Sequence, residues 1–495
     1  MNYFSKALLL MIAAEGVSLL SFMYPVLSLP LIILAGAATF FITLKNAEWG
    51  IYLLFGELFF GSRGHLLEYD IGFMSVSLRL VIFAVVFLAC LSKFSIFNFQ
   101  FSKKSKILYT LLLIVIGFGI IKGYFSGNAI ANVFNDANGY LYLLILPAVF
   151  SVIKTRRQIE NILLILAAAI LVVAGKTLLI FVWFSFGLPG VANVYHWIVA
   201  QDFGEITGDV GKASRVFMQS QFWSLMGLFI FSIPLVTSLR GVIAPKQSPE
   251  QEFASLPLAK TMNWLIVAAS ILAIIMSLSR SFWLGAIAGG LFAIITVLWQ
   301  FRAFFRSFLG LGLKLGLIAV LEIGLLYGIV AAGGNAIAES VSSRGGDPTK
   351  EAASGARLLL LPELLAGIKQ SPIFGAGFGE MVTYKSYLPD RVSRANPDGE
   401  ITNFAFEWGY LDIALKIGGL GLIIYLLFIA HIFAMGWKAM NFQFPISNFQ
   451  ILGLLSALAA LLVLNVTTPY LNHPLGIGYI ILSGIIFKIY GNEQQ

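Results

Sequence analysis

The chain has 495 residues, 59% of them hydrophobic and only 11% charged, with a mean hydropathy of +0.88. A soluble globule of that composition lacks the polar residues to cover its surface, so a polytopic membrane protein is expected. The formal net charge of +8 is spread in short clusters at the ends of apolar segments, which argues for a membrane-orientation signal and against a nucleic-acid surface.

A helix needs roughly 20 residues to cross a hydrocarbon core of about 30 Å. Fourteen segments approach that requirement: about 5–23, 26–44, 47–61, 76–92, 107–122, 138–153, 159–186, 216–238, 261–279, 282–300, 307–332, 409–435, 449–468 and 475–490. The third is short enough to be a half-helix. The first carries Lys6 and lacks a small-residue cleavage site, which fits a retained span. The expected class is therefore an all-α polytopic membrane protein of about 12–14 transmembrane helices. Residues 1–332 would hold about 11 spans, 333–408 one large extracytoplasmic loop with an interfacial helix, and 409–495 about 3 closing spans.

Under this count the basic clusters around Lys103, Lys154, Arg240, Arg302 and Lys438 all fall on one side, so both termini are expected in the cytoplasm. Segments 62–75, 123–137, 187–214 and 333–408 then lie outside. The single cysteine, Cys90, excludes an intrachain disulfide. His65, His196, His431 and His473 are scattered without ligand spacing, and no metal site is expected.

The apolar run from Trp264 to Trp299 is 36 residues long, about 54 Å as one helix, and must fold back near Ser279–Ser281. Arg280 is thereby placed at a hairpin on the outer face. Such an arginine either snorkels to headgroups or serves a site on the side where positive charge is avoided. Two more arginines share its situation. "ASRVFMQSQFW" puts Arg215 at the outer mouth of the eighth span, with Gln219 one turn further in; "SGARLLLLPELL" puts Arg357 at the head of an apolar stretch in the large loop. A guanidinium donates in pairs to phosphate oxygens and keeps its charge at any depth, which suits a diphosphate.

Within the large loop, 357–369 suits an interfacial helix begun or kinked at Pro362, and "SPIFGAGFG" a tight glycine turn that allows close backbone approach. The polar stretch that follows carries Asp390, Arg391, Arg394, Asp398 and Glu400. Asp412 and Lys416 are spaced to pair on one helix face. Glu15, Glu57, Arg79, Lys176, Lys314 and Glu322 fall inside spans and should face a partner or a cavity.

Taken in order, "ASRVF…Q", "SLSRSFWLG", "SGAR…SPIFGAGFG" and "EWGYLDIALKIGGLGLIIYL" resemble the O-antigen ligase and O-antigen polymerase (Wzy-type) family of bacterial membrane glycosyltransferases, most strongly over about 210–430. The resemblance implies a metal-independent, GT-C-like enzyme in the bacterial inner membrane, without a cofactor. It would take a glycan from an undecaprenyl-diphosphate carrier on the outer face and pass it to a glycan or lipid acceptor. It also implies that Arg215, Arg280 and Arg357 grip the diphosphate. Ligases of this kind carry a histidine just before the span after the large loop; here Glu407 and Trp408 stand in its place. Glu407 is the candidate catalytic base, its pKa raised by burial against Phe406 and Trp408, or else the ion-pair partner of Arg391 or Arg394. Trp408, Gln219, Arg391 and Arg394 are candidate sugar or acceptor contacts. The intramembrane charges sustain one rival, a transporter or flippase of lipid-linked glycan, although no internal repeat supports it.

Overall fold

The computed structural model describes residues 2–72, 75–92, 102–207, 215–239, 260–333, 352–386, 398–440 and 445–492. Helices dominate: α1 Tyr3–Met23, α2 Ser28–Lys45, α3 Ala47–Phe60, α4 Leu78–Leu91, α5 Lys103–Phe125, α6 Ile130–Ala137, α7 Leu146–Val152, α8 Arg156–Ser185, α9 Val191–Ala200, α10 Gln221–Ser232, α11 Leu235–Leu239, α12 Lys260–Ser277, α13 Arg280–Gln300, α14 Phe305–Ala332, α15 Ala352–Gln370, α16 Gly409–Ala439, α17 Pro445–Leu464 and α18 Pro474–Asn492. Nine helical stretches among the described residues are long and apolar enough to cross a membrane, and α4, α10 with α11, α12 and α17 are shorter apolar helices. With the 14-residue α3, they account for every expected segment. This is a multi-pass, all-α membrane protein.

Local chemistry sets the helix ends. Thr155 and Gln158 form a reciprocal capping box that starts α8, and Asn46 and Ser102 accept from backbone N–H groups at the starts of α3 and α5. The interior is built by α13 against α17, α10 against α12 and α17, α8 against α1 and α12, and α16 against α5 and α18. Apolar all round, α18 is buried on nearly every side, whereas the equally apolar α14 turns most of its surface outward, as a lipid-facing helix does.

Two ends of the bundle can be told apart. At one, Arg156 lies 4.7 Å from the Tyr490 ring, Glu48 binds Tyr52 and Gln158, and Trp299 stands against Trp437. At the other is the α12–α13 hairpin with Arg280, together with three antiparallel two-stranded ribbons: β1 Glu68–Asp70 with β2 Ser75–Ser77, β3 Gly204–Thr207 with β4 Arg215–Met218, and β5 Val382–Lys385 with β6 Glu400–Asn403.

Two expectations are corrected here. Residues 215–218, taken as the start of the eighth span, form β4; the helix begins only at Gln221, so Gln219 sits in the strand-to-helix turn instead of one turn inside. The helix expected over 357–369 begins earlier, at Ala352, and Pro362 lies inside it, the second of its two expected placements. Arg391 and Arg394, with Asp390, fall outside the described residues.

The glycine turn "GAGFG" is a backbone insert. Gly418 breaks α16 at φ 74° and ψ 175°, a conformation open essentially to glycine alone. The freed peptide groups pair with the loop after α15: Ala376 N–H donates to Leu415 O (2.6 Å), Gly377 to Lys416 O (3.1 Å), Gly419 to Pro372 O (2.8 Å) and Leu420 to Ile373 O (3.2 Å). On the other side Phe378 N–H donates to Gly119 O of α5 at 3.1 Å. Gly418→Ala should destabilise by about 3 kcal/mol or more, since its Cβ would meet the Ile373 carbonyl and its backbone would be strained. Gly312→Ala, which meets nothing within 4 Å, should be neutral or stabilising. Thermal unfolding of the two variants in detergent checks the contrast.

Candidate functional site

The β3–β4 ribbon sets Arg215 opposite Thr207 and carries it to the α12–α13 hairpin. Its Nε donates to the carbonyl of Ser277, the last residue of α12, at 2.8 Å. Its Nη1 meets Glu205 Oε2 at 3.1 Å, and the guanidinium lies 4.7 Å from the Phe217 ring. Arg280 opens α13 three residues beyond Ser277, so these two arginines share one hairpin. Next to Arg280, Ser281 Oγ is bonded to Thr467 Oγ1 (2.8 Å) and accepts from Thr468 Oγ1 (3.0 Å).

The loop after α3 closes on the same place. The Ser62 hydroxyl donates to Phe203 O and accepts from Gln219 N–H at 3.1 Å. Arg63 pairs with Asp202 at 2.6 Å, just before β3. Beneath it, Arg79 and Glu57 form an ion pair at 2.8 Å with both side chains 4% exposed, and Arg79 Nη2 also donates to Ser62 O at 2.8 Å. Among the described residues, Ser62, Asp202 and Leu278 are the non-glycine positions with left-handed backbone, φ 54°, 48° and 45°. All three adjoin this arginine group, and held strain of that kind concentrates at functional sites.

A turn from Asn465 to His473, between α17 and α18, ties this group to the next. Ser281 holds Thr467 and Thr468, while Gly409 packs so closely on Asn465 that a side chain would not fit. Tyr470 stacks on Phe222 (4.6 Å between ring centres), and its buried hydroxyl has no hydrogen-bond partner among the described residues; the same holds for Arg79 Nη1. Burial, with Arg79 and Arg63 nearby, pushes the His473 imidazole well below its usual pKa, so it is neutral.

Across that turn lie Arg357, Glu407 and Trp408. Arg357 Nε donates to Glu407 Oε2, and the Trp408 indole N–H donates to Arg357 O at 2.9 Å. The expected burial of Glu407 is not found: its side chain is 53% exposed. The segment before α16 alternates, turning Phe406 inward onto Leu360, Leu364, Val382 and Leu415 and leaving the carboxylate between Phe406 and Trp408 outward. Its described partner is Arg357; Arg391 and Arg394, the partners expected from sequence, lie outside the described residues.

The expected Asp412–Lys416 pair forms at 3.6 Å but belongs to a larger network. Lys416 also binds Asp136 and the Phe404 carbonyl, Asp136 accepts from Gly379 N–H of the glycine loop at 2.7 Å, and Asn472 donates to Asp412. Lys416 therefore fixes Phe404, three residues before Glu407. Gly139, packed against the Asn472 carbonyl, is the second residue of the 3₁₀ stretch Asn138–Ile145 that follows Asp136. Among the described residues no group of three or more His, Cys, Asp or Glu stands close enough to share a metal ion.

A family model described as O-antigen ligase matches residues 265–426. The chain carries a domain of the O-antigen ligase family. No curated protein matches the chain. The ligase domain runs from α12 into α16 and includes Arg280, Arg357, Glu407, Trp408 and the glycine loop; Arg215, Gln219, Arg63 and the 465–473 turn approach it from outside. Arg63 and the turn are functional candidates that sequence reasoning passed over. The available signals were the short charged loop "GSRGH" and the polar run "NVTTPYLNH" between two closing spans.

Lys416→Met would leave Asp136 and Asp412 buried without their cation and should cost about 3–5 kcal/mol. Adding Asp136→Asn should recover part of that loss, because it removes one of the stranded charges. Unfolding of both variants, compared as a double-mutant cycle, measures the recovery.

Proposed function

We propose that the protein is a membrane glycosyltransferase that moves or polymerises a glycan from an undecaprenyl-diphosphate carrier on the outer face of the bacterial inner membrane. The observation that supports this most is the gathering of Arg215, Arg280, Arg357 and Glu407, far apart in sequence, around one turn at one end of the bundle. Transfer forms a bond from an acceptor hydroxyl to the anomeric carbon and breaks the bond to the diphosphate, whose oxygen keeps the electron pair. Guanidinium groups stabilise that developing charge. Glu407 holds Arg357 at Nε only, which leaves the paired Nη groups for phosphate oxygens. Its solvent-facing carboxylate can receive the acceptor's proton.

Of the intramembrane charges that sustained the transporter alternative, Glu15 pairs with Lys176 at 2.7 Å, Glu57 pairs with Arg79 at 2.8 Å and Lys314 lies 5.8 Å from the Trp264 ring, while Glu322 keeps one buried carboxylate oxygen without a partner among the described residues. The asymmetric placement of the arginines at one end of the bundle favours transfer chemistry over transport.

Two experiments test the proposal. In a reconstituted assay with undecaprenyl-diphosphate-linked glycan, Arg280→Lys and Arg357→Lys should each lower turnover by roughly one to three orders of magnitude, because one oriented charge contact contributes a few kcal/mol. Glu407→Gln should bind the carrier but transfer slowly; full activity of both Lys variants would end the diphosphate reading. For sidedness, single cysteines in a Cys90→Ser background at the exposed Ser126 and Ala303 should differ, only the first reacting from outside with a membrane-impermeant thiol reagent. The reverse pattern would place all three arginines in the cytoplasm.

A further inference from the structure

A cavity of about 500 Å³ opens between α1, α8 and α9. Ile12, Leu19, Leu179, Trp183 and Trp197 give it an almost wholly apolar lining, interrupted by the Glu15–Lys176 pair. The Lys176 ammonium also lies 4.7 Å from the Trp197 ring and 3.8 Å from the Phe203 ring, which anchors α8 to the segment after α9. Gly16 of α1 and Gly175 of α8 both line the cavity, and a Cβ on either would meet no atom within 4 Å. Two glycines thus keep a slot open between helices that otherwise pack together.

The slot is joined to the arginine group by the chain that covers it. Helix α9, its roof, leads through Asp202, which holds Arg63, and Phe203, which accepts from Ser62, into the ribbon that carries Arg215. Within a bilayer an apolar groove gains little by being apolar, because lipid tails are equally so. Selectivity must come from shape and from a polar head bound beside the groove. A molecule with a flexible hydrocarbon chain and an anionic head at the arginines satisfies both conditions.

We propose that this cavity holds the first part of the isoprenoid chain of the lipid-linked donor, adjoining its diphosphate. The inference rests on the diphosphate reading of the arginine group, and it names a site on α1 and α8, outside the matched ligase domain.

The test fills the slot without crowding the protein. Gly16→Leu and Gly175→Leu are made singly in the full chain; thermal unfolding should not worsen, since a Cβ at either site enters open space, the cavity takes the rest of the side chain, and both sites lie inside helices. Binding of undecaprenyl diphosphate in detergent should weaken about tenfold in Gly175→Leu, while binding of inorganic pyrophosphate, which has no chain, stays as in the unaltered protein. Undecaprenyl diphosphate affinity unchanged in both variants would overturn the inference. So would failure of the unaltered chain to bind it, or native mass spectrometry in which the variants lose only bilayer phospholipid. A tenfold loss on filling the separate crevice over α3 by Ala35→Leu or Ala38→Leu, with the glycine variants unaffected, would likewise assign the chain elsewhere. Glycan transfer by the unaltered chain is scored separately. Transfer with unchanged affinities leaves the glycosyltransferase standing without this cavity, and chain-dependent binding without transfer leaves the cavity standing alone.

Discussion

Every charge carried below the membrane surface must find its partner inside the protein, and this constraint organises the site end of the molecule. Arg79 cannot be hydrated where it lies, so Glu57 and the Ser62 carbonyl bind it, and that binding fixes the loop bearing Arg63. Lys416 likewise draws together α6, the segment before α16 and the turn after α17, through Asp136, Phe404 and the Asp412–Asn472 contact. These buried ions make a frame, and the partly exposed arginines stand on it.

Backbone groups obey the same rule. A helix interrupted at Gly418 exposes peptide groups that hydrocarbon cannot satisfy, and the loop 372–378 supplies their partners strand-fashion. The glycines of that loop are there because side chains would block the approach: at Gly375 a Cβ would run into Lys416 and Gly418 backbone, at Gly377 into that of Gly123. The break and the loop need each other. Together they bring α15, with Arg357, onto α16 just after Glu407.

Hydropathy made the helices legible because every span had to be apolar over its length, and the arginines were legible because a cation at an outer hairpin is out of place. Hydropathy also misled, for the same reason. Val216, Phe217 and Met218 are as apolar as a helix start, yet they form β4, since edge pairing with β3 and not span length decides their conformation. Glu407 between two aromatics looked buried, and alternation in an extended segment turned it outward. The 465–473 turn was hidden between two long apolar segments, and only its packing against Ser281, Gly409 and Asp412 shows what it joins.

The arginines are held, not loose. Arg63, Arg215 and Arg357 each engage a described carboxylate, Asp202, Glu205 and Glu407. Those acids are 45%, 52% and 53% exposed, so each stays near water while its arginine is aimed. Orientation is what an unpaired arginine on a flexible stem would lose on binding a ligand, and a carboxylate that already fixes the guanidinium plane removes much of that entropic cost. The pairing also keeps net charge low until an anion arrives, which limits repulsion among cations crowded at one end of the bundle. On the proposed reading an incoming diphosphate would meet donors set in place, and the exposed carboxylates could move toward water as it binds. Glu407 has a second task on the same reading, since it stands beside Trp408 and faces solvent, where an acceptor would approach. Ala405 and Phe406 alone separate it from Phe404, which the buried Asp136–Lys416–Asp412 frame holds, so Glu407 has a rigid base and a carboxylate that faces water; on the proposed reading that is the combination a proton acceptor at a site open to bulky glycans would require.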